Sequence, residues 1–416
     1  MKVLVTTLGR GHFIQVADSL RRAGVDADLT QGWLVEKPEK SFWLRLAARI
    51  IGRQSLIWGF TKRTTEALKG HNFGDFLAEF VQTCFMLFFS RIWKNKRLWH
   101  WGVKTGFWLH GRTMAKLLKR GDYQIAHVKS GLGRFAIATA KKKGIKVLVD
   151  HSAGAPRYIT EEVDGDEWGS WTFWWTVMQD CLDADLLMVD CDFVKSTFLK
   201  YGYPEGKIRV VYMGLDKKFN GLKQWDEDLD DIGRSPQKPL RIVFSGPFAP
   251  HKGNETFLAA IDLLLKSDLC FDVTVLGSSS ITDEQHAKYK AAIGKIDFKG
   301  HMPQDQMCQI MQSHQIYLFP SLSEGCAKSA FEAMSIGLCV LCTFETGLPM
   351  TDGYDGFLIQ KNKPSSIAAR IEFLVEHPQE MKRTGKMAIE TLKGFTWEAY
   401  AENVKKVYGE LTGEQG

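Results

Sequence analysis

The 416-residue sequence predicts an α/β protein of two Rossmann-like domains facing each other across a cleft. Three observations carry that expectation. Short β-branched runs alternate with helical patterns almost throughout the chain. The strand candidates are apolar without alternation, as strands of a parallel sheet covered on both faces must be. Near the middle, the polar stretch DKKFNGLKQWDEDLDDIGRSPQK (216–238) has no apolar period and reads as an interdomain linker. Two such domains bind ligand at the carboxyl ends of their strands, so the cleft is the place to look.

In the first domain the strand candidates are Lys2–Thr7, Ile125–Val128, Ile145–Asp150, Asp185–Val189 and Ile208–Tyr212, with helices at His12–Arg22 and Arg134–Lys143. The second repeats the rhythm with strands at Leu240–Ser245, Phe271–Leu276, Gln315–Phe319 and Leu338–Thr343. Its helices are expected at Glu255–Lys266, Thr282–Ile293, Gln304–Gln312 and Ser365–Glu376. The expected boundaries are therefore 1–218, a linker over 219–238, 239–394 for the second domain, and a terminal helix over 395–416.

Composition narrows the function classes. A hydrophobic fraction of 44% and a charged fraction of 25% are ordinary for a globular chain, and 416 residues suffice for two cores. A net charge of +6 is too mild to imply nucleic acid, and no nucleic-acid partner is expected. The eight cysteines are scattered. Cys339-Val-Leu-Cys342 is a lone C-x-x-C in an apolar strand, whereas a zinc site needs about four ligands. Free thiols in a reducing cytosol and no bound metal are the expectation. The start MKVLVTTLG is too short for a signal-peptide core, and FVQTCFMLFF (80–89) has about half the length that spans a bilayer.

Residues 33–119 break the rhythm. Segments such as SFWLRLAARIIGR and FMLFFSRIWKNKRLWHWGVKTGFW mix aromatic and basic residues as an anionic membrane surface would require. Helices packed on the domain with solvated basic edges would read the same way. No nucleic-acid reader motif accompanies them.

Four places can carry chemistry. TTLGRGHFIQVADSL follows the first strand; Gly9 and Gly11 allow a tight turn, and a helix start at His12 offers free N–H groups to an anion. Ile14 stands where a dinucleotide fingerprint needs its third glycine, which disfavours nicotinamide or flavin chemistry. In VFSGPFAPHKGNETFLAA, Lys252 and Gly253 open a helix, where the dipole disfavours a cation unless both face a phosphate. In SEGCAKSAFEAMSIG, Glu324 and Glu332 lie eight residues apart, two turns or about 12 Å along a helix. Such carboxylates can accept hydrogen bonds from sugar hydroxyls while the helix start takes a diphosphate. Finally, His127 and His151 sit at strand ends, and VDHSAGAPRY sets His151 in a small-residue loop open to close approach.

With these residues in place, the chain resembles a GT-B-fold glycosyltransferase of the family 4, or group 1, type. FPSLSEGCAKSAFEAMSIGLCVL is similar to that family's Glu-x7-Glu segment, and FETGLPMTDGYDGFLIQ to the stretch after it. FKGHMPQDQM, FTWEAYAENVKKVY and DCLDADLLMVDCDFVKSTFLKYGYPEGKIRVVYMGLD also fit; only residues 33–119 do not. The resemblance implies transfer of a sugar from a nucleotide diphospho-sugar, with retention and without a metal or other cofactor. It implies Glu324 and His151 at the transferred sugar, and Glu332 at the ribose. It further implies Lys252, Gly253 and the amides near Gly11 at the diphosphate, and His301-Met302 at the base. The implied acceptor is a glycan or lipid-linked glycan at the cytoplasmic membrane face, and the terminal helix after Phe395 would cross back to the first domain. Three positions depart from the family pattern: Pro247 replaces an arginine, Cys326-Ala327 lacks a second glycine, and Lys129 stands where relatives have histidine. Two other readings stay open, a non-catalytic nucleotide-sugar-binding subunit and another GT-B enzyme such as a sugar-nucleotide epimerase.

Overall fold

A computed structural model describes residues 1–8, 12–35, 40–42, 45, 49, 63, 65–87, 96–163, 171–215, 223–226 and 229–413. The expected phosphate-loop residue Gly11 lies outside the described residues, as does much of 33–119.

The first domain is built on a seven-stranded sheet in the order β3-β2-β1-β4-β5-β6-β7. Its strands are β1 (Lys2–Thr6), β2 (Asp26–Gln31), β3 (Asn72–Gly74), β4 (Ile125–Lys129), β5 (Lys146–His151), β6 (Leu186–Val189) and β7 (Ile208–Val210). The second domain has a six-stranded sheet, β10-β9-β8-β11-β12-β13, from β8 (Leu240–Ser245), β9 (Phe271–Leu276), β10 (Ile296–Gly300), β11 (Ile316–Phe319), β12 (Cys339–Cys342) and β13 (Phe357–Leu358). Every strand pairing is parallel. In both sheets the order reverses beside the first strand, at β1/β4 and β8/β11, and a crevice opens at such a switch point.

The helices that matter for the site are α1 (Phe13–Arg22), α2 (Phe76–Leu87), α3 (Lys96–Arg120), α4 (Arg134–Lys142), α5 (Trp171–Asp183) and α6 (Asp192–Lys200) in the first domain. The second contributes α7 (Asn254–Leu264), α8 (Gln304–Gln312), α9 (Lys328–Ile336), α10 (Pro364–Glu376) and α11 (Pro378–Leu392). The terminal α12 (Trp397–Thr412) packs on α1, and its Tyr400, Val404 and Tyr408 share a core with Val3 and Phe13. It therefore crosses back to the first domain.

Several elements differ from the sequence reading. β2 was not legible because DADLTQ places Asp26 and Asp28 among its apolar residues, and β10 and β13 are edge strands at the two ends of their sheet. The helix expected over 282–293 is two short ones, Asp283–Lys288 and Lys290–Lys295, broken at Tyr289. The described part of 216–238 packs on the second domain. Leu229 and Ile232 are buried in its core, and the Trp225 indole donates to the Gly337 carbonyl at 3.0 Å. Residues 33–119 are not merely added on: β3 pairs with β2, and Met114 and Leu118 of α3 are buried in the domain core. No described helix is long and apolar enough to cross a membrane. All eight cysteines are unbridged.

Candidate active site

The second domain supplies one wall of the cleft. Gly253 adopts φ +74°, and a Cβ there would run into the Pro320 carbonyl oxygen, so only glycine lets the loop after β8 lie against the loop after β11. That approach brings Lys252 to Glu324. Its ammonium is ion-paired with Glu324 Oε1, and both side chains are mostly buried. The same oxygen accepts a hydrogen bond from Ser321 Oγ at 2.9 Å, and the Glu324 amide donates to the Glu345 carbonyl at 2.9 Å. Lys252, which the helix dipole alone would disfavour, is held by the carboxylate of the Glu-x7-Glu segment.

Immediately after this pair, α9 starts. Ala327 is extended and no side chain caps the helix, nor is there an acidic residue in its first turn. Its leading N–H groups are left for an anion, and the helix dipole points its positive end at the same place. Ser329 fixes the turn by donating to the Ser245 carbonyl at 2.7 Å.

Glu332 is buried, 4% exposed, on the second turn. Gln304 Nε2 donates to its Oε1 at 2.6 Å, and Lys328 Nζ lies 3.8 Å away. Gln304 opens α8, one residue (Pro303) after His301 and Met302, of which His301 is exposed and Met302 packs on the core. One hydrogen bond therefore links the ribose candidate to the loop of the base candidate.

The first domain supplies the opposite wall. His151 ends β5, fully enclosed; Ser130 Oγ lies 2.8 Å from Nδ1 and the Gly154 carbonyl 3.1 Å from Nε2. A carbonyl can only accept, so Nε2 carries the proton and Nδ1 accepts from Ser130. Burial pushes the imidazole pKa down and keeps it neutral. The loop after His151 meets the loop that bears Glu324: a Cβ on Gly325 would collide with the Ser152 carbonyl oxygen. Around that contact the Cys191 thiol donates to the Gly325 carbonyl, Lys361 Nζ donates to the Tyr158 hydroxyl at 2.8 Å, and the Phe193 and Phe344 rings meet edge to face at 5.9 Å. His151, Glu324 and Lys252 are thereby brought to one place between the domains.

A further polar group went unread in the sequence. Asp150 is the last residue but one of β5, Asp190 follows β6, Lys129 ends β4 and His12 precedes α1, all at the carboxyl edge of the first sheet. Burial, then the charge of Asp150, raises the Asp190 carboxyl well above its ordinary range. Burial lowers the pKa of Lys129 and of His12, and His12 also feels Lys328 from the other domain. His127 is structural: its Nδ1 meets the Tyr408 hydroxyl at 2.7 Å and its Nε2 meets Asp150 Oδ2 at 3.3 Å, which ties α12 to the sheet. The available signal was strand-end position, the one that singled out His151.

Comparison with known proteins concerns the family and the fold. Residues 226–391 match the model of glycosyl transferases group 1, and residues 88–219 match that of Glycosyltransferase Family 4. An uncharacterized glycosyltransferase of Methanocaldococcus jannaschii is 30% identical over 173 residues, 41% of this chain and 48% of that protein. A D-inositol 3-phosphate glycosyltransferase of Streptomyces avermitilis is 28% identical over 246 residues, 56% of this chain and 53% of the relative. The chain thus spans about half the length of the curated relatives it matches. Among solved structures, the sucrose-phosphate synthase of Thermosynechococcus elongatus superposes with a TM-score of 0.64 at 15% identity, covering 100% of both chains. HepE of Anabaena, in complex with UDP and glucose, gives 0.62 at 13% identity over 99% of this chain and 100% of that one. Such identities speak to fold alone. Residues 226–391 are thus a group 1 glycosyltransferase domain and residues 88–219 a Glycosyltransferase Family 4 one, set on the two Rossmann-like domains of the GT-B fold.

Proposed function

We propose that the protein transfers a sugar from a nucleotide diphospho-sugar, bound in the cleft, to a hydroxyl of a glycan or lipid-linked acceptor held by the first domain. The observation that carries this reading is the Lys252–Glu324 ion pair beside the uncapped start of α9, set against the His151 loop. In this reading Lys252, Gly253 and the α9 amides take the diphosphate. As the C1–O bond of the donor breaks, its electron pair goes to the diphosphate, where the ammonium and the helix dipole stabilise the growing charge without a metal. The acceptor oxygen bonds C1 on the face the diphosphate leaves, and its proton passes to the departing phosphate, which retains configuration. Glu324 accepts from hydroxyls of the transferred sugar. Glu332, steadied by Gln304, accepts from the ribose, and the base lies on His301 and Met302. Neutral His151 donates through Nε2 once the Gly154 carbonyl yields it.

The acceptor side favours a lipid-linked substrate at an anionic membrane surface. Phe76, Leu77 and Phe80 of α2, Trp101 and Trp108 of α3 and Trp175 of α5 are exposed apolar side chains, and Arg112 stacks on Trp108 at 4.4 Å. Aromatic residues flanked by cations suit that interface.

The test is release or transfer of sugar from a panel of nucleotide-sugars, with UDP-glucose first. Turnover by the wild type and its loss in Glu324→Ala and Lys252→Ala supports the enzyme. Nucleotide binding without turnover would point instead to a binding subunit.

A further inference from the structure

The carboxyl edge of the first sheet gathers a set of ligating groups that the transfer reaction does not use. His12, Asp150 and Asp190 each place one donor atom within 4.8 Å of the other two. The topology explains the meeting of residues so distant in sequence. β5 and β6 are neighbours, with His151 in register with Val189, so their last residues emerge side by side. β1 lies one strand beyond β4, and His12 is the N-cap of α1, the helix that follows β1.

The set is incomplete as it stands. Asp150 is 0% exposed; its Oδ2 meets His127, while its Oδ1 is buried with no hydrogen-bond partner. An unsatisfied buried polar group is destabilising, and a charged one more so. Neither carboxylate forms a salt bridge with Lys129, the ammonium on the adjacent strand end, and no hydrogen bond engages the His12 ring among the described residues. One imidazole and two carboxylates, two of the three buried, are a donor set for a hard divalent ion that keeps open positions.

A second group of the same composition, Asp26, Asp28 and His71, shows the contrast. There His71 Nδ1 meets Asp28 Oδ1 at 2.8 Å, the Tyr123 hydroxyl donates to Asp28 Oδ2 at 2.8 Å, and Arg21 pairs with Asp26 at 3.2 Å. Those carboxylates are satisfied by protein donors.

We propose that His12, Asp150 and Asp190 bind one divalent cation of the magnesium or manganese type. Its remaining positions face the cleft through half-buried His12, where water or a hydroxyl of a bound ligand completes the shell. The site belongs to the first domain, across the cleft from Lys328 of α9, and nucleoside diphosphate binding measured in chelator tests the other reading independently.

The experiment is titration of the chelator-stripped full chain with Mn²⁺, following the free-ion electron paramagnetic resonance signal. One Mn²⁺ per chain is expected, held at least ten-fold more weakly in His12→Gln and in Asp190→Asn and unchanged in His71→Gln. Circular dichroism checks that each variant folds. His12 is the outermost member, so His12→Gln decides the matter should Asp190→Asn fail to fold. Absence of Mn²⁺ uptake by the wild type, or uptake indifferent to His12→Gln, would overturn the proposal.

Discussion

The two walls of the cleft are finished to different degrees. In the second domain the polar groups at the site are engaged with one another: Lys252 with Glu324, Glu324 with Ser321, Glu332 with Gln304. No buried side-chain nitrogen or oxygen in the described residues 239–394 lacks a partner. In the first domain Thr7 Oγ1 and Asp150 Oδ1, at the ends of β1 and β5, are both buried without one. In the proposed function the second-domain wall would meet the donor with side chains already held by one another, whereas the first-domain wall keeps buried polar atoms without a partner. Preorganisation of this kind is what lets fixed charges and dipoles act on a transition state without reorganising.

The sharpest way to break the comparison is to disarm the finished wall. Lys252→Ala and Glu324→Ala should each lower turnover by about 10²–10³-fold, the usual loss when one electrostatic stabiliser is removed. Equal turnover in both variants and the wild type would mean the pair serves packing only.

Next comes the contact between the walls. Gly325→Ala should hold the Glu324 loop away from Ser152 and reduce turnover by about 10²-fold, because misplacement by about 1 Å is that costly. Nucleotide affinity should change far less, since Lys252 and α9 lie wholly in the second domain; a parallel loss of affinity would place the effect elsewhere.

Gly253→Ala tests the geometry that delivers Lys252. A side chain at φ +74° against the Pro320 carbonyl should destabilise the second domain by about 2–4 kcal/mol in chemical denaturation. A change within experimental error would show that the loop can move aside.

On the first wall, Asp180 Oδ2 accepts from the Gly131 and Gly133 amides at 2.8 and 2.7 Å, which fixes the loop after β4. Burial raises its carboxyl to about 7. A raised folded value means the native state holds the proton more tightly than the unfolded chain. Its contribution is fully present below the unfolded value and fades as pH rises towards 7, by at most about 1.4 kcal/mol per unit. Asp180→Asn keeps an oxygen for both amides and should flatten this part of the stability–pH curve relative to wild type. Superimposable curves would contradict the assignment.

The smallest effect is expected at the outer face. Replacing Phe76 and Leu77 by serine should weaken co-sedimentation with anionic vesicles, by about 1 kcal/mol for each half-inserted side chain. Wild-type protein that stays in the supernatant at low salt would remove the membrane surface from the account.

How much was legible follows the same divide. β8, β9, β11 and β12 read directly because short, mostly apolar runs alternating with helical patterns leave few alternatives, and the resemblance in the Glu-x7-Glu segment lies on consecutive residues. Glu324, Lys252 and His151 were each singled out by their place after a strand, and the structure sets them on the facing loops of the cleft. The ion pair itself was not, since 72 residues separate Lys252 from Glu324 and only the approach of Gly253 to Pro320 joins them. β2 was hidden by its aspartates, and those aspartates are real features of an α/β sheet whose strand faces Tyr123 and His71. The His12–Asp150–Asp190 group was illegible for a stronger reason: its members meet only through parallel neighbours in the sheet, a relation no local pattern records.

The central claim is that the second domain is a ready diphosphate site, and calorimetric titration of UDP in chelator tests it most directly. The account predicts saturable one-to-one binding by the wild type and a loss of at least ten-fold in Lys252→Ala, with the protein still folded. Should neither UDP nor any other nucleoside diphosphate bind the wild type, the claim is contradicted.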